Sequence, residues 1–124
     1  MNLGLLKIVF FLFFSLQLLA DPISGNYATF KLLDKTTNKV SEKILEVNTE
    51  TNWDSLNIQI YGCYSTPPEE VPEDYVLIEV KDMLSTDNFY IYRGWMISSS
   101  PDLTPLEHPI YDLWLVDCNI NKAS

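Results

Sequence analysis

Residues 56–61 alternate apolar and polar side chains, which places Leu56, Ile58 and Ile60 on one face of a strand. Similar short runs recur at 27–33, 40–47, 75–80, 89–97 and 110–118, and no stretch after residue 20 sustains a helical period. The polar segment 34–39 between the first two runs predicts a hairpin with a long loop, and 85–88 predicts a second turn. Segment 66–74 holds Pro67, Pro68 and Pro72 among four carboxylates, so it reads as an acidic loop. Segment 98–109 carries Pro101, Pro105 and Pro109; serine before proline suits one short helical turn near 100–107, on a loop expected to cross the end of the sheet. About six strands without intervening helices predict an all-β fold, a single small antiparallel sandwich or barrel spanning 21–124. Residues 119–124 read as a frayed tail.

The first twenty residues follow another pattern. Lys7 precedes an unbroken apolar run from Ile8 to Phe14, and Ala20 stands before the polar step Asp21-Pro22. This is the layout of a cleaved secretory signal peptide over 1–20. The rival reading, an uncleaved anchor, is disfavoured because the apolar stretch falls short of the roughly 20 residues needed to cross a bilayer.

Export changes the meaning of the composition. Without Lys7 the chain keeps seven basic against 17 acidic side chains, a net charge of about −10. That charge excludes electrostatic binding to nucleic acid, and the mature domain is not expected to span a membrane. The two cysteines, Cys63 and Cys118, would meet an oxidising compartment, so one structural disulfide is expected. Neither lies in a Cys-x-x-Cys spacing and the chain has one histidine, so no metal site and no cofactor is expected.

Chemistry-bearing residues are densest over 98–112, where Ser98, Ser99, Ser100, Asp102, Glu107, His108 and Asp112 fall close together. A serine triad drawn through His108 lacks the Gly-x-Ser-x-Gly turn that exposes a nucleophile, and no catalytic residue is assigned. Glu107 and Asp112 with Trp95 and Trp114 form a glycosidase-like set, but residues 110–115 are apolar on both faces. That pattern predicts a central strand packed on both sides, with Asp112 in a structural network. Arg93, the one arginine, is expected in that network as well, paired with Glu107 or Asp112.

The segment Gly94-Trp95-Met96-Ile97-Ser98-Ser99-Ser100-Pro101, followed by Leu106-Glu107-His108-Pro109-Ile110-Tyr111-Asp112-Leu113-Trp114-Leu115 and Cys118, resembles the signature of a bacterial envelope family, domain of unknown function 2155. The likeness extends to Leu33-Asp34-Lys35-Thr36 and to Cys63-Tyr64 with Pro67-Pro68. Arg93 departs from it, standing where a small polar residue is usual. The resemblance implies a small exported, periplasmic protein and assigns no activity.

Together these features lead us to expect a non-catalytic domain that binds another envelope component, a protein in the first instance, through loop 98–109 and its neighbours. The candidate binding residues are Trp95, Met96, Ser99, Leu103, Glu107 and His108. The alternative is a glycan-binding module or envelope hydrolase using Glu107 and His108.

Overall fold

The computed structural model describes Lys7 and residues 21–86, 90–106 and 108–122. The expected signal segment apart from Lys7, the start of the fifth predicted strand at Phe89, and Glu107 lie outside the described residues. Among the described residues there are eight strands: β1 (Ile23–Gly25), β2 (Tyr27–Asp34), β3 (Lys39–Glu46), β4 (Glu50–Trp53), β5 (Leu56–Ser65), β6 (Asp74–Asp82), β7 (Tyr90–Ile97) and β8 (Tyr111–Asn119). One 3-10 turn, Pro101–Leu103, interrupts the segment between β7 and β8. All six predicted strands form. The two additional ones, β1 and β4, are three and four residues long, too short to display an alternation.

The strands build two antiparallel sheets. The larger runs β1-β5-β6-β7, with β4 sharing the same edge of β5 as β1, and the smaller runs β3-β2-β8. β1 pairs with the end of β5, from Cys63 to Ser65, and β4 with its start, from Leu56 to Gln59. The tight reversals fall at side chains that tolerate a left-handed backbone: Asn38, Asn48 and Asp54 all have positive φ.

The inward faces obey the alternation seen in the sequence. Leu56, Ile58 and Ile60 of β5, Val76, Ile78 and Val80 of β6, and Phe30 and Leu32 of β2 are all buried. They meet Tyr111, Leu113 and Leu115 of β8 in one core. Trp53, at the end of β4, is the bulkiest fully buried side chain, and the Lys43 ammonium lies over its ring at 5.2 Å. The expectation that residues 110–115 form a central strand packed on both sides is corrected. β8 pairs with β2 alone and buries one face, leaving Asp112 and Trp114 half-exposed on the other. The tail reading is corrected as well, because Asn119 closes β8 and its carbonyl accepts the Asn26 N–H at 2.9 Å.

Cys63 of β5 and Cys118 of β8 form the expected disulfide, with Cα atoms 5.8 Å apart. The bridge joins the two sheets. Beside it the Asp74 carboxylate at the start of β6 accepts the Cys118 N–H at 3.0 Å, a second tie between the same layers.

Segment 98–110 does not cross the end of the sheet. It begins beside Glu73, just before β6, and finishes beside Asp82, the last residue of β6, so it runs the whole length of that strand, about 26 Å. On the way Thr104 reaches β7, accepting the Ile97 N–H at 3.4 Å, and Leu106 is buried. Pro101 and Pro105 lie beside Trp114 of β8. The segment is a strap that closes the side of the sandwich between the β7 and β8 edges. On the chain-entropy relation, replacing Cys63 and Cys118 together by alanine is expected to lower the unfolding free energy by about 4 kcal/mol, measured by urea unfolding without reductant.

Candidate functional site

Two regions concentrate polar or aromatic side chains: the strap, and the outer face of the larger sheet.

Both ends of the strap are tied by carboxylates. At its start the Glu73 carboxylate accepts the Ser98 N–H at 3.1 Å, the Ser98 hydroxyl at 3.0 Å, the Ser99 N–H at 2.9 Å and the Ser99 hydroxyl. Burial pushes the Glu73 carboxyl up, but the hydrogen bonds from Ser99 and Ser98 outweigh it and hold the group below the ordinary glutamate value. Thr66 fixes Glu73 in turn, its hydroxyl accepting the Glu73 N–H at 3.0 Å and donating to the Val71 carbonyl at 3.0 Å. The proline-rich segment is therefore more than a solvated acidic loop.

At the other end His108 is buried, with a side chain 5% exposed. Its Nδ1 accepts the backbone N–H groups of Ile110 at 3.0 Å and Tyr111 at 3.2 Å. That occupancy assigns the proton to Nε2, which donates to the Asp82 carboxylate at 2.9 Å. The His108 hydrogen bond, with the Leu84 N–H behind it, holds the Asp82 carboxyl below the ordinary aspartate value. From the smaller sheet, Lys35 donates to the His108 carbonyl at 3.1 Å and pairs with Asp112 at 3.2 Å. Asp112 thus pairs with Lys35 instead of Arg93, and Arg93 pairs across the strands with Glu79 at 3.0 Å.

These contacts decide what the strap residues can do chemically. Both nitrogens of His108 are engaged, and the hydroxyls of Ser98 and Ser99 donate to a carboxylate, which leaves no serine poised against an imidazole base among the described residues. No group of three or more His, Cys, Asp and Glu side chains that could hold a metal ion occurs among them either. Ser99 and His108 act as anchors of the strap. Leu103, on the 3-10 turn, is exposed.

Of the remaining candidates, Met96 is fully buried and belongs to the core, whereas Trp95 is 47% exposed. Alternation puts Trp95 on the outer face, where it meets residues that the sequence did not single out. Tyr64 of β5 and Tyr75 of β6 are cross-strand partners. Their rings stand 5.7 Å apart and close to parallel, and Trp95 packs against both, its centroid 5.5 Å from Tyr75 and 6.0 Å from Tyr64. Alternation also puts Tyr61 outward, where its hydroxyl donates to Glu79 at 2.9 Å, and a bulge between Ile60 and Gly62 resets the phase so that Cys63 faces inward and Tyr64 outward. Further along, Lys81 and Arg93 both lie 4.7 Å over the ring of Tyr90. The outer face of β5–β6–β7 is thus an exposed aromatic band edged by charge.

The profile of a family described as "Uncharacterized protein conserved in bacteria (DUF2155)" matches residues 28–118, from the second residue of β2 to the bridging Cys118. The chain belongs to this family. Within the DUF2155 region fall the disulfide, both anchors of the strap and the aromatic band. The chain is also 29% identical over 96 residues to an uncharacterized protein, RP359, of Rickettsia prowazekii (strain Madrid E), an alignment covering 75% of this chain and 62% of that protein. It therefore spans less than two thirds of the length of this curated relative. No solved structure matches.

The carboxylate anchors set an acid limit on this DUF2155 domain. Glu73 and Asp82 have lowered values when folded, so their stabilisation is fully present above the ordinary carboxylate range of about 4 and is lost as pH falls through the lower folded values. Urea midpoints measured from pH 6 down to pH 2 are expected to fall below about pH 4, and Glu73→Gln is expected to flatten that fall. An unchanged acid slope in the variant would remove Glu73 as an anchor.

Proposed function

We propose that this chain is a non-catalytic binding domain of the bacterial cell envelope, exported by a leader spanning 1–20, and that it engages an envelope component through the outer face of β5–β6–β7. The observation that carries this reading is the Tyr64–Tyr75–Trp95 cluster, with Trp95 47% exposed, on a sheet stiffened from behind by the disulfide and the strap. Exposed aromatic rings on a rigid support are the usual anchors of recognition, because they bring large contact area with little side-chain freedom to lose. The strap supports the reading in another way: its histidine and serines are occupied in holding it shut, which favours binding over hydrolysis. Membership of a family known only as uncharacterized is compatible with this role and assigns no reaction.

The reading moves the contact surface from loop 98–109 to the sheet face. A photoreactive residue placed at Trp95 in living cells is expected to give a discrete adduct. The same residue at Leu103 on the strap, or at Val40 on the opposite sheet, is expected to give none. Labelling from Leu103 alone would return the binding surface to the strap, and labelling from none of the three would overturn the proposal.

A further inference from the structure

We propose that the cavity between the strap and β8 holds a small organic cation, a single ammonium on an aliphatic stem. This goes beyond the role given to the outer face of β5–β6–β7, because β8 belongs to the smaller sheet and the cavity shares no residue with that face. Pro101, Pro105 and Leu106 line it from the strap, Leu113 and Trp114 from β8. Its volume, about 320 Å³, lies at the small end of the range of about 300–1,000 Å³ for small-molecule sites, which suits a compact ligand and not a folded partner.

The first observation is the state of the Trp114 ring. Leu113 and Leu115 are buried in the core, so alternation turns Trp114 out, and its indole is half-exposed. Trp53 has the Lys43 ammonium over its ring and Trp95 packs against two tyrosines. Among the described residues Trp114 is the one tryptophan with neither a ring nor a cation against it. Beside it Leu106 and Leu113 are buried and give the cavity an apolar floor. An aliphatic stem laid on these carbons leaves water without giving up a hydrogen bond.

The second observation is the charge at the rim. Asp102, in the 3-10 turn, and Asp112 also line the cavity. Asp112 pairs with the Lys35 ammonium at 3.2 Å, so one side of the rim already holds a cation. Asp102 has neither a hydrogen bond nor an ion pair among the described residues. Two carboxylates thus meet one ammonium, and one negative charge is left unmatched. An anionic ligand would be repelled by that charge and by the −9 of the whole chain, and a wholly apolar one would cover Asp102 without giving it a partner. An ammonium pairs with Asp102 and is attracted to the negative face of the indole. Carboxylates by themselves would make only a solvated edge; the bare indole beside an apolar floor is what gives the stem a place.

The strap wall is fixed before any ligand arrives. Glu73 holds Ser98 and Ser99 just ahead of Pro101, Thr104 accepts the Ile97 N–H at 3.4 Å just ahead of Pro105, and Asp82 holds His108 beyond Leu106. A cavity walled in this way loses little freedom on binding.

The test is amide and indole NMR of the purified protein at about pH 7, where an alkylamine is charged. It is titrated separately with n-pentylamine, 1-pentanol and pentanoate, which share one stem and differ in the head. With the amine, shifts are expected at the Trp114 indole N–H and at the amides of Asp102, Leu106 and Leu113, and they should weaken as salt is added. The alcohol should bind more weakly and the carboxylate not at all. Asp102→Asn, on an exposed turn, is expected to weaken amine binding about fivefold, the loss of one solvent-exposed ion pair. Trp114→Leu should weaken it by about as much, through the lost cation–ring contact. Val71→Ser, on the exposed acidic loop, should leave it unchanged. No shift at Trp114 with millimolar amine, an equal response to the alcohol, or undiminished binding in Asp102→Asn would each overturn the assignment. The outer face of β5–β6–β7 is read separately, by photolabelling from Trp95, so failure of the cavity and failure of that face are told apart.

Discussion

Everything in this molecule depends on keeping two sheets of unequal size face to face. The hydrophobic core supplies the force, but burial is non-directional and does not by itself set how one sheet is placed on the other. Cys63–Cys118 does so: it joins β5 to β8, and the Asp74 carboxylate on the Cys118 N–H fixes the same corner without a covalent bond. From that corner β6 leads away to Asp82, where His108 fastens the opposite corner. The sandwich is pinned at both ends of β6, and the strap runs between the pins.

This arrangement explains how an exposed aromatic face can exist on so small a domain. A Trp with nearly half its surface open, beside two tyrosines, contributes little to the core of its own sheet. The stiffness of that sheet comes from the layer behind it, where Met96, Val76 and Ile78 are fully buried beneath the outward-facing residues. The exposed aromatic rings and the buried core are thus divided between the two faces of the same strands, with alternation keeping them apart.

The layout was legible in the sequence where one face of a strand is buried. Leu56, Ile58 and Ile60 announce β5, and the pair of cysteines announces its bridge. Residues 110–115 misled because Trp114 is apolar yet lies on the outer face, so one-sided burial looked two-sided. The aromatic band was legible only at Trp95. Tyr64, Tyr75 and Trp95 are far apart along the chain and become neighbours only through strand register, which composition does not encode. Glu73 was hidden for the opposite reason: among three other carboxylates in a proline-rich stretch it looked like a solvated charge, and only the position of Ser98 and Ser99 shows what it holds.

The strap also acts as a ruler. Thr104 is held beside the end of β7 by the Ile97 N–H and His108 beside the end of β6 by Asp82, so only the four peptide steps between them, about 13 Å when extended, cover the rest of that strand and little slack remains there. A chain of this family that lengthens β6 by two residues must lengthen the strap to match, or release either Thr104 or His108 from its partner. Insertions in the two segments should therefore arise as linked pairs, and a variant carrying only one half of such a pair would open the side of the sandwich that the strap now closes.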